Sequence, residues 1–296
     1  MISKKYIFLF VFIVFISAPV LTKAADIPTA SIAQQIEAIK QKIAELQKLL
    51  AELLLQKRGI EVTSGSYIVV DLLDGTVISE KSSGTEYPIA SITKLMNAVV
   101  SLESIDQNQK ITLTADMLKP VGYSPALFLG ATVTAHDLLK AMMIQSTNDA
   151  AESLASIMGV EKFVAAMNQK AVELGMQETH FYDTHGLNLQ NRSTAANLVK
   201  LVTYVYNNHP EVLTLSKETN FQLPGSDGRL LTFKNVNNFY GSPDFVGGKT
   251  GYLPEAKQSL ASIFQVNGKT MAVIVLYSKD RQIDTIALIN SIKSKS

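Results

Sequence analysis

The chain contains no cysteine among its 296 residues and only four histidines. Without cysteine there is no disulfide and no cysteine-based metal site. The histidines never fall in an H-x-x-x-H or H-E-x-x-H spacing, which argues against a zinc enzyme. Neither a metal nor a cofactor is expected. An excess of charge of one sign is also missing, the formal net charge being +1. A nucleic-acid binder would normally show a basic stripe, and the sequence suggests none. Hydrophobic residues make up 47% and charged residues 18%, the balance of a globular chain rather than a disordered one. The length suffices for one large domain with a buried core and a small appendage.

What is present begins with an export pattern. Lys4 and Lys5 form a positive start, residues 6–16 are an unbroken apolar run, and Thr22-Lys23-Ala24-Ala25 offers small residues to a signal peptidase. The apolar run is shorter than the ~20 residues a membrane span needs. Residues 1–25 therefore read as a signal peptide cleaved after Ala24 or Ala25, with an uncleaved anchor as the alternative. Either way the rest of the chain works outside the cytoplasmic membrane. Residues 26–59 form a second unit. Ile32, Ile36, Ile39, Ile43, Leu46, Leu50 and Leu53 recur in alternating steps of four and three. That is a heptad seam with Ile36, Ile43 and Leu50 at a and the others at d. Pro28 precedes this helix and Gly59 follows it. Residues 30–57 read either as an amphipathic helix packed on its own domain or as a coiled coil, making a dimer, meeting an envelope partner or spacing the domain from a membrane.

From residue 60 to 296 the pattern is that of one domain. Residues 66–71 and 76–80 are strand-like around an Asp74-Gly75 turn. Residues 92–207 read as a long helical stretch with a few loops. Residues 221–223, 230–233, 245–249, 259–265 and 271–277 then read as strands, and 283–292 as a closing helix. This order predicts an α+β fold, an antiparallel sheet with helices on its faces.

Three short motifs carry the chemistry. Ser91-Ile92-Thr93-Lys94 opens an apolar-periodic helix, so Ser91 and Lys94 share one face about one turn apart. A serine hydroxyl is a poor nucleophile until a base takes its proton. Lys94 can be that base if burial or a neighbouring cation lowers its pKa. The backbone N–H of Ser91 would face any oxyanion formed there. Ser146-Thr147-Asn148 lies between two helices. Ser146 can relay a proton to a leaving amine, and the Asn148 amide can bind a substrate carbonyl and fix the lysine. Lys249-Thr250-Gly251 follows Gly247 and Gly248 on a strand. Lys249 can hold a substrate carboxylate and depress Lys94, and Thr250 adds a donor to that carboxylate. Gly251 leaves room for an extended peptide along the strand edge. The Tyr252 N–H would be the second oxyanion donor. Read singly, the first two motifs are equally helix caps and the third a glycine-rich turn. Their order and mutually required roles are what give them weight.

With these residues in view, the chain from about residue 60 to its end resembles the low-molecular-weight penicillin-binding D-alanyl-D-alanine carboxypeptidases, serine peptidases that share their fold with serine β-lactamases. Beyond the triplets, the likeness runs through Pro88-Ile89-Ala90 before the nucleophile segment, Asp149-Ala150-Ala151, Leu174-Gly175-Met176, Gly186-Leu187 and Ser193-Thr194-Ala195. The resemblance implies Ser91 as nucleophile, Lys94 as general base and Ser146 as proton shuttle. It implies Asn148 and Lys249 as substrate binders, and Thr250 and Tyr252 at the carboxylate and oxyanion. The implied substrate is the D-Ala-D-Ala end of a peptidoglycan pentapeptide, with β-lactams as covalent inhibitors. Family members often carry histidine and aspartate where Asn191 and Asn197 stand, and glycine where Lys257 stands. Asn191 and Asn197 predict an altered hydrogen-bond network, and Lys257 a reshaped or charged cleft rim. Lys279 and Arg281 are alternative helpers at the carboxylate. A β-lactamase of the E-x-x-L-N type has no matching glutamate among Glu152, Glu161, Glu173, Glu178 and Glu211. A transpeptidase or endopeptidase, and a non-catalytic cell-wall-binding protein, are the other readings.

Overall fold

The computed structural model describes residues 34–43, 45–46, 62–120 and 127–294. The chain divides into two compact units at Leu50 and Ala51. In the first, residues 34–43 and 45–46 are helical. Ile36, Ile39, Ile43 and Leu46 are all exposed there, and the helix carries ion pairs Glu37–Lys40 and Lys42–Glu45. The signal segment and the seam positions Ile32, Leu50 and Leu53 lie outside the described residues. No helix among the described residues is long and apolar enough to cross a membrane.

The second unit is built on a five-stranded antiparallel sheet. Its strands are β1 (Ser66–Asp71), β2 (Val77–Lys81), β9 (Phe245–Leu253), β10 (Lys257–Val266) and β11 (Lys269–Ser278), in the order β2-β1-β11-β10-β9. Strands β10 and β11 read as continuous apolar runs because both faces of the sheet are covered. Alternate residues serve different cores, as the two-residue period requires. Val69, Leu260, Phe264, Val273 and Val275 pack with Ile286, Ile289 and Ile292 of the closing helix α7 (Arg281–Lys293). Ile68, Val70, Ile263, Ile274 and Leu276 face the larger core with the remaining helices.

Those helices are α1 (Thr93–Ser104), α2 (Ala135–Ile144), α3 (Asn148–Met158), α4 (Val160–Glu173), α5 (Ala195–Asn208) and α6 (Pro210–Leu215). Residues Thr93 to Ser101 of α1 are all buried, so this helix is the axis of the unit rather than a surface element. Helix α2 is started by a capping box between Thr134 and Asp137.

The stretch 92–207 is less uniformly helical than its composition suggests. Strands β4 (Lys110–Thr112) and β5 (Thr132–Thr134) pair within it. Residues 174–194 follow an irregular path that includes β6 (Arg192–Ser193), paired with β3 (Tyr87–Pro88). Strands of two or three residues hold too few side chains for a period to register. Of the five later strand-like segments, three join the main sheet, while β7 (Asn220–Pro224) and β8 (Leu230–Lys234) form a separate two-stranded ribbon. Strand β9 runs on to Leu253, farther than its sequence suggests, because its three glycines mask the strand signal.

Candidate active site

Ser91 sits in a single turn of 3-10 helix, Ala90–Ile92, that leads directly into α1. Ala90 has φ of 47°, a strained value for a residue with a Cβ. Two glycines make this turn possible. A Cβ on Gly186 would lie 1.9 Å from the Ala90 carbonyl oxygen, and one on Gly251 would lie 2.6 Å from that of Ile89. The loop carrying Gly186 and the strand carrying Gly251 therefore close on the Ser91 turn from two sides.

Lys94, in the first turn of α1, is completely buried. Its Nζ lies 3.0 Å from Ser91 Oγ, 2.8 Å from Asn148 Oδ1 and 2.6 Å from the His185 carbonyl oxygen. Burial pulls the amine down to about 7, and the negative charge of Asp183 works against that fall. A neutral amine has two hydrogens and one lone pair. The two carbonyl-type oxygens accept the hydrogens, which leaves the lone pair for the Ser91 hydroxyl. The arrangement suits an amine that takes the serine proton.

Ser146 and Asn148 flank the junction of α2 and α3. Ser146 has φ of 62°, and Thr147 is the N-cap of α3 with no side-chain capping bond. Asn148 therefore meets Lys94 rather than capping its own helix. Lys249 on β9, also buried, donates to Ser146 Oγ at 2.7 Å and to the Thr250 carbonyl at 3.1 Å. Burial, Lys94 and Arg281 together hold it well below the usual lysine range. Since β9 is the edge of the sheet, Lys249, Thr250, Gly251 and Tyr252 lie along its free margin.

A cleft of about 240 Å³ opens where these elements meet, lined by Ser91, Gln145, Ser146, Val236, Thr250, Gly251, Tyr252 and Arg281. Of the eight sequence-derived site residues, Ser91, Ser146, Thr250, Gly251 and Tyr252 line this cleft, Lys94 and Lys249 contact Ser91 and Ser146, and Asn148 is joined to it through Lys94. Arg281 lines it with its Nη1 3.5 Å from the Gly251 carbonyl, while Lys279 is exposed elsewhere on the surface. Gln145 and Val236 are further lining residues that carried no sequence signal of their own.

The departures from the family pattern each have a place. Asn191 is buried, bonded to Thr93 and Asp183. Asn197 donates to Glu178 and to Thr179. Lys257 takes a φ of 52°, and its ammonium lies 3.9 Å from the centre of the Tyr277 ring. It is not among the residues lining the cleft, because the cation is attracted to the aromatic face. Arg281 is the cation that lines the cleft.

A family model described as D-alanyl-D-alanine carboxypeptidase matches residues 53–280. The chain is 33% identical over 219 residues to the D-alanyl-D-alanine endopeptidase of Haemophilus influenzae, spanning 71% of this chain and 74% of that protein. It is 30% identical over 222 residues to a D-alanyl-D-alanine carboxypeptidase of Mycobacterium tuberculosis, spanning 72% and 74%. Among solved structures, a D-alanyl-D-alanine carboxypeptidase from M. tuberculosis is similar with a TM-score of 0.74 at 26% identity, over 80% of this chain and 93% of that one. A variant of a Streptomyces DD-transpeptidase is similar with a TM-score of 0.71 at 26% identity, over 80% of this chain and all of that one.

Proposed function

The chain belongs to the D-alanyl-D-alanine carboxypeptidase family of serine peptidases, and from that premise we propose that Ser91 carries a two-step acyl transfer on the D-Ala-D-Ala end of a peptidoglycan stem peptide. Lys94 takes the Ser91 proton as Oγ attacks the carbonyl between the two D-alanines. The oxyanion is held by the N–H groups of Ser91 and Tyr252. Asn148 orients the peptide, while Lys249, Thr250 and Arg281 receive its terminal carboxylate. Gly251 lets that peptide lie close along β9. The terminal D-alanine leaves as an amine protonated through Ser146, and water then hydrolyses the ester on Ser91.

One observation carries the reading: a buried amine at about 7 with its Nζ 3.0 Å from a serine hydroxyl. The direct test is the intact mass of the protein after benzylpenicillin, beside Ser91→Ala. A lasting adduct of the whole drug, absent in the variant, is the expected result. Drug consumed with no adduct would indicate a β-lactamase, and neither outcome a binding protein. A relative named as an endopeptidase supports a second substrate form, the cross-linked peptide. Release of free D-alanine from a pentapeptide, compared with cleavage of a cross-linked dimer, separates the two.

The enzyme works outside the cytoplasmic membrane, delivered by residues 1–25, and residues 60–296 form its catalytic domain. The exposed seam of Ile36, Ile39, Ile43 and Leu46 supports a parallel coiled coil with a second copy of the chain. In that register Lys40 at e faces Gln35 at g of the other copy, so no lysines oppose each other. Sedimentation velocity should then show a dimer whose monomer fraction rises on dilution. Ile36→Asp with Ile43→Asp should leave monomer only. A wild-type monomer at every concentration would remove the coiled-coil reading.

A further inference from the structure

The segment between Phe181 and Arg192 has almost no regular structure, yet it supplies the carbonyl that meets Lys94 and the glycine that closes on the nucleophile turn. Its shape is organised around one carboxylate. Asp183 Oδ1 accepts from the backbone N–H of His185 at 3.1 Å and of Gly186 at 2.6 Å. Its Oδ2 accepts from the N–H of Asn188 at 2.6 Å. A fourth donor is the Asn191 side chain, 2.8 Å from Oδ1. Asn191 joins this loop to the catalytic elements. Its Nδ2 also donates to Thr93 Oγ1 at 3.1 Å, its Oδ1 accepts from the N–H groups of Tyr182 and Asp183, and its carbonyl accepts from the N–H of Ile89.

These bonds form a continuous chain to the reacting groups. Asp183 fixes the His185 and Gly186 amides. The His185 carbonyl fixes Lys94 Nζ at 2.6 Å, and Gly186 lies directly against the Ala90 carbonyl and Ser91 nitrogen. We propose that Asp183 is a positioning residue for acylation, which with Asn191 braces the 183–191 loop against the nucleophile turn and sets the electrostatic field in which Lys94 works. The proposal rests on the assignment of Ser91 and Lys94 as nucleophile and base.

The charged groups around Asp183 decide which way its removal acts. In its own loop, the His185 ring Nδ1 is 3.3 Å from Asp183 Oδ2. That nitrogen accepts from the Leu187 N–H, and burial holds His185 below its usual range. From α3, Glu152 approaches the other face of His185 at 4.0 Å and accepts from Thr184. From α1 comes Lys94 and, beyond it on β9, Lys249, whose own ammonium Lys94 disfavours as a like charge. Asp183 is the one charge that opposes the burial of Lys94.

The test uses the whole protein and the rate of penicillin acylation as a function of pH, read by mass. The variants are Asp183→Asn and Asp183→Ser, both uncharged and both retaining a hydrogen-bond acceptor, with Asn191→Ala as a charge-neutral disruption of the same brace. A lysine acting as base must be neutral, so the wild-type rate rises with pH through the lysine's titration. Loss of the Asp183 charge removes what favoured the ammonium, so the rising limb moves to lower pH in both variants. The rate on the plateau falls by about tenfold or more as the loop loosens. Asn191→Ala slows acylation with its limb in place. A limb unmoved in the Asp183 variants, or moved to higher pH as water reaches Lys94, would overturn the proposal, as would an unchanged plateau rate. Absence of any wild-type acylation would instead remove the assignment of Ser91, and Asp183 with it.

Discussion

Lys94→Met is expected to slow acylation of Ser91 by between about 100-fold and 10,000-fold, the range a positioned general base contributes. Methionine has nearly the length of lysine, but it has neither a basic nitrogen for the serine proton nor an ammonium to desolvate. The fold should survive, since Lys94 is wholly buried and an apolar side chain suits such a site. Two polar partners, Asn148 Oδ1 and the His185 carbonyl, lose their donor, which costs about 1–3 kcal/mol each when no water replaces it. The pH dependence is the sharper signature. Burial brings the Lys94 amine to about 7, so the wild-type rate climbs as pH rises through that value and the ammonium becomes a free base. The variant should show a slow rate without that limb. Acylation measured by mass across the range, with melting curves alongside, decides the matter. A variant that acylates at the wild-type rate would show that another group takes the proton.

Gly186→Ala is expected to damage both stability and chemistry. Gly186 has φ of 91°, which costs a residue with a Cβ about 1–3 kcal/mol. The added methyl would also stand 1.9 Å from the Ala90 carbonyl oxygen, 2.3 Å from its carbon and 3.0 Å from the Ser91 nitrogen. These are backbone atoms, so no side chain can swing aside to relieve the clash. The nucleophile turn has to shift, and overpacking of this kind adds about 1–3 kcal/mol. For a domain of this size the melting temperature should fall by roughly 5–15 °C. Acylation should fall about 100-fold or more, because a misplacement of 1 Å is enough for that. Gly84→Ala is the matched control. Its Cβ would meet nothing within 4 Å, and its stability should stay within ~0.5 kcal/mol of wild type. If both variants melt alike, the close approach of Gly186 to Ala90 has no energetic weight.

These expectations draw on residues of different legibility. Ser91, Lys94, Ser146, Asn148 and Lys249 were visible because a short reaction mechanism demands particular side chains at short spacings. Gly186 could be named from family likeness, but not the atom it touches. Arg281 and Lys279 were indistinguishable in sequence, being two cations two residues apart. They separate only because Asp280 caps α7, so that one cation is carried into the cleft and the other out to solvent. Lys257 was expected to reshape or charge the cleft rim, and only the structure shows that its ammonium lies over the ring of Tyr277.

The sequence by itself determined the antiparallel sheet with its closing helix, the order of the three motifs and the heptad spacing of the N-terminal helix. Each depends on a period or a local spacing that the chain carries within a few residues. Tertiary structure alone decided the pairing of β1 with β11, the edge position of β9 and the loop organised by Asp183 and Asn191. It also decided the burial that brings Lys94 to about 7. The pairing, the edge and the burial arise between residues far apart in the chain, and the loop, although its own bonds are local, gains its role by meeting Thr93 and Lys94. A pKa, a close approach or a free sheet edge belongs to the space around a residue, and that space exists only after the chain has folded.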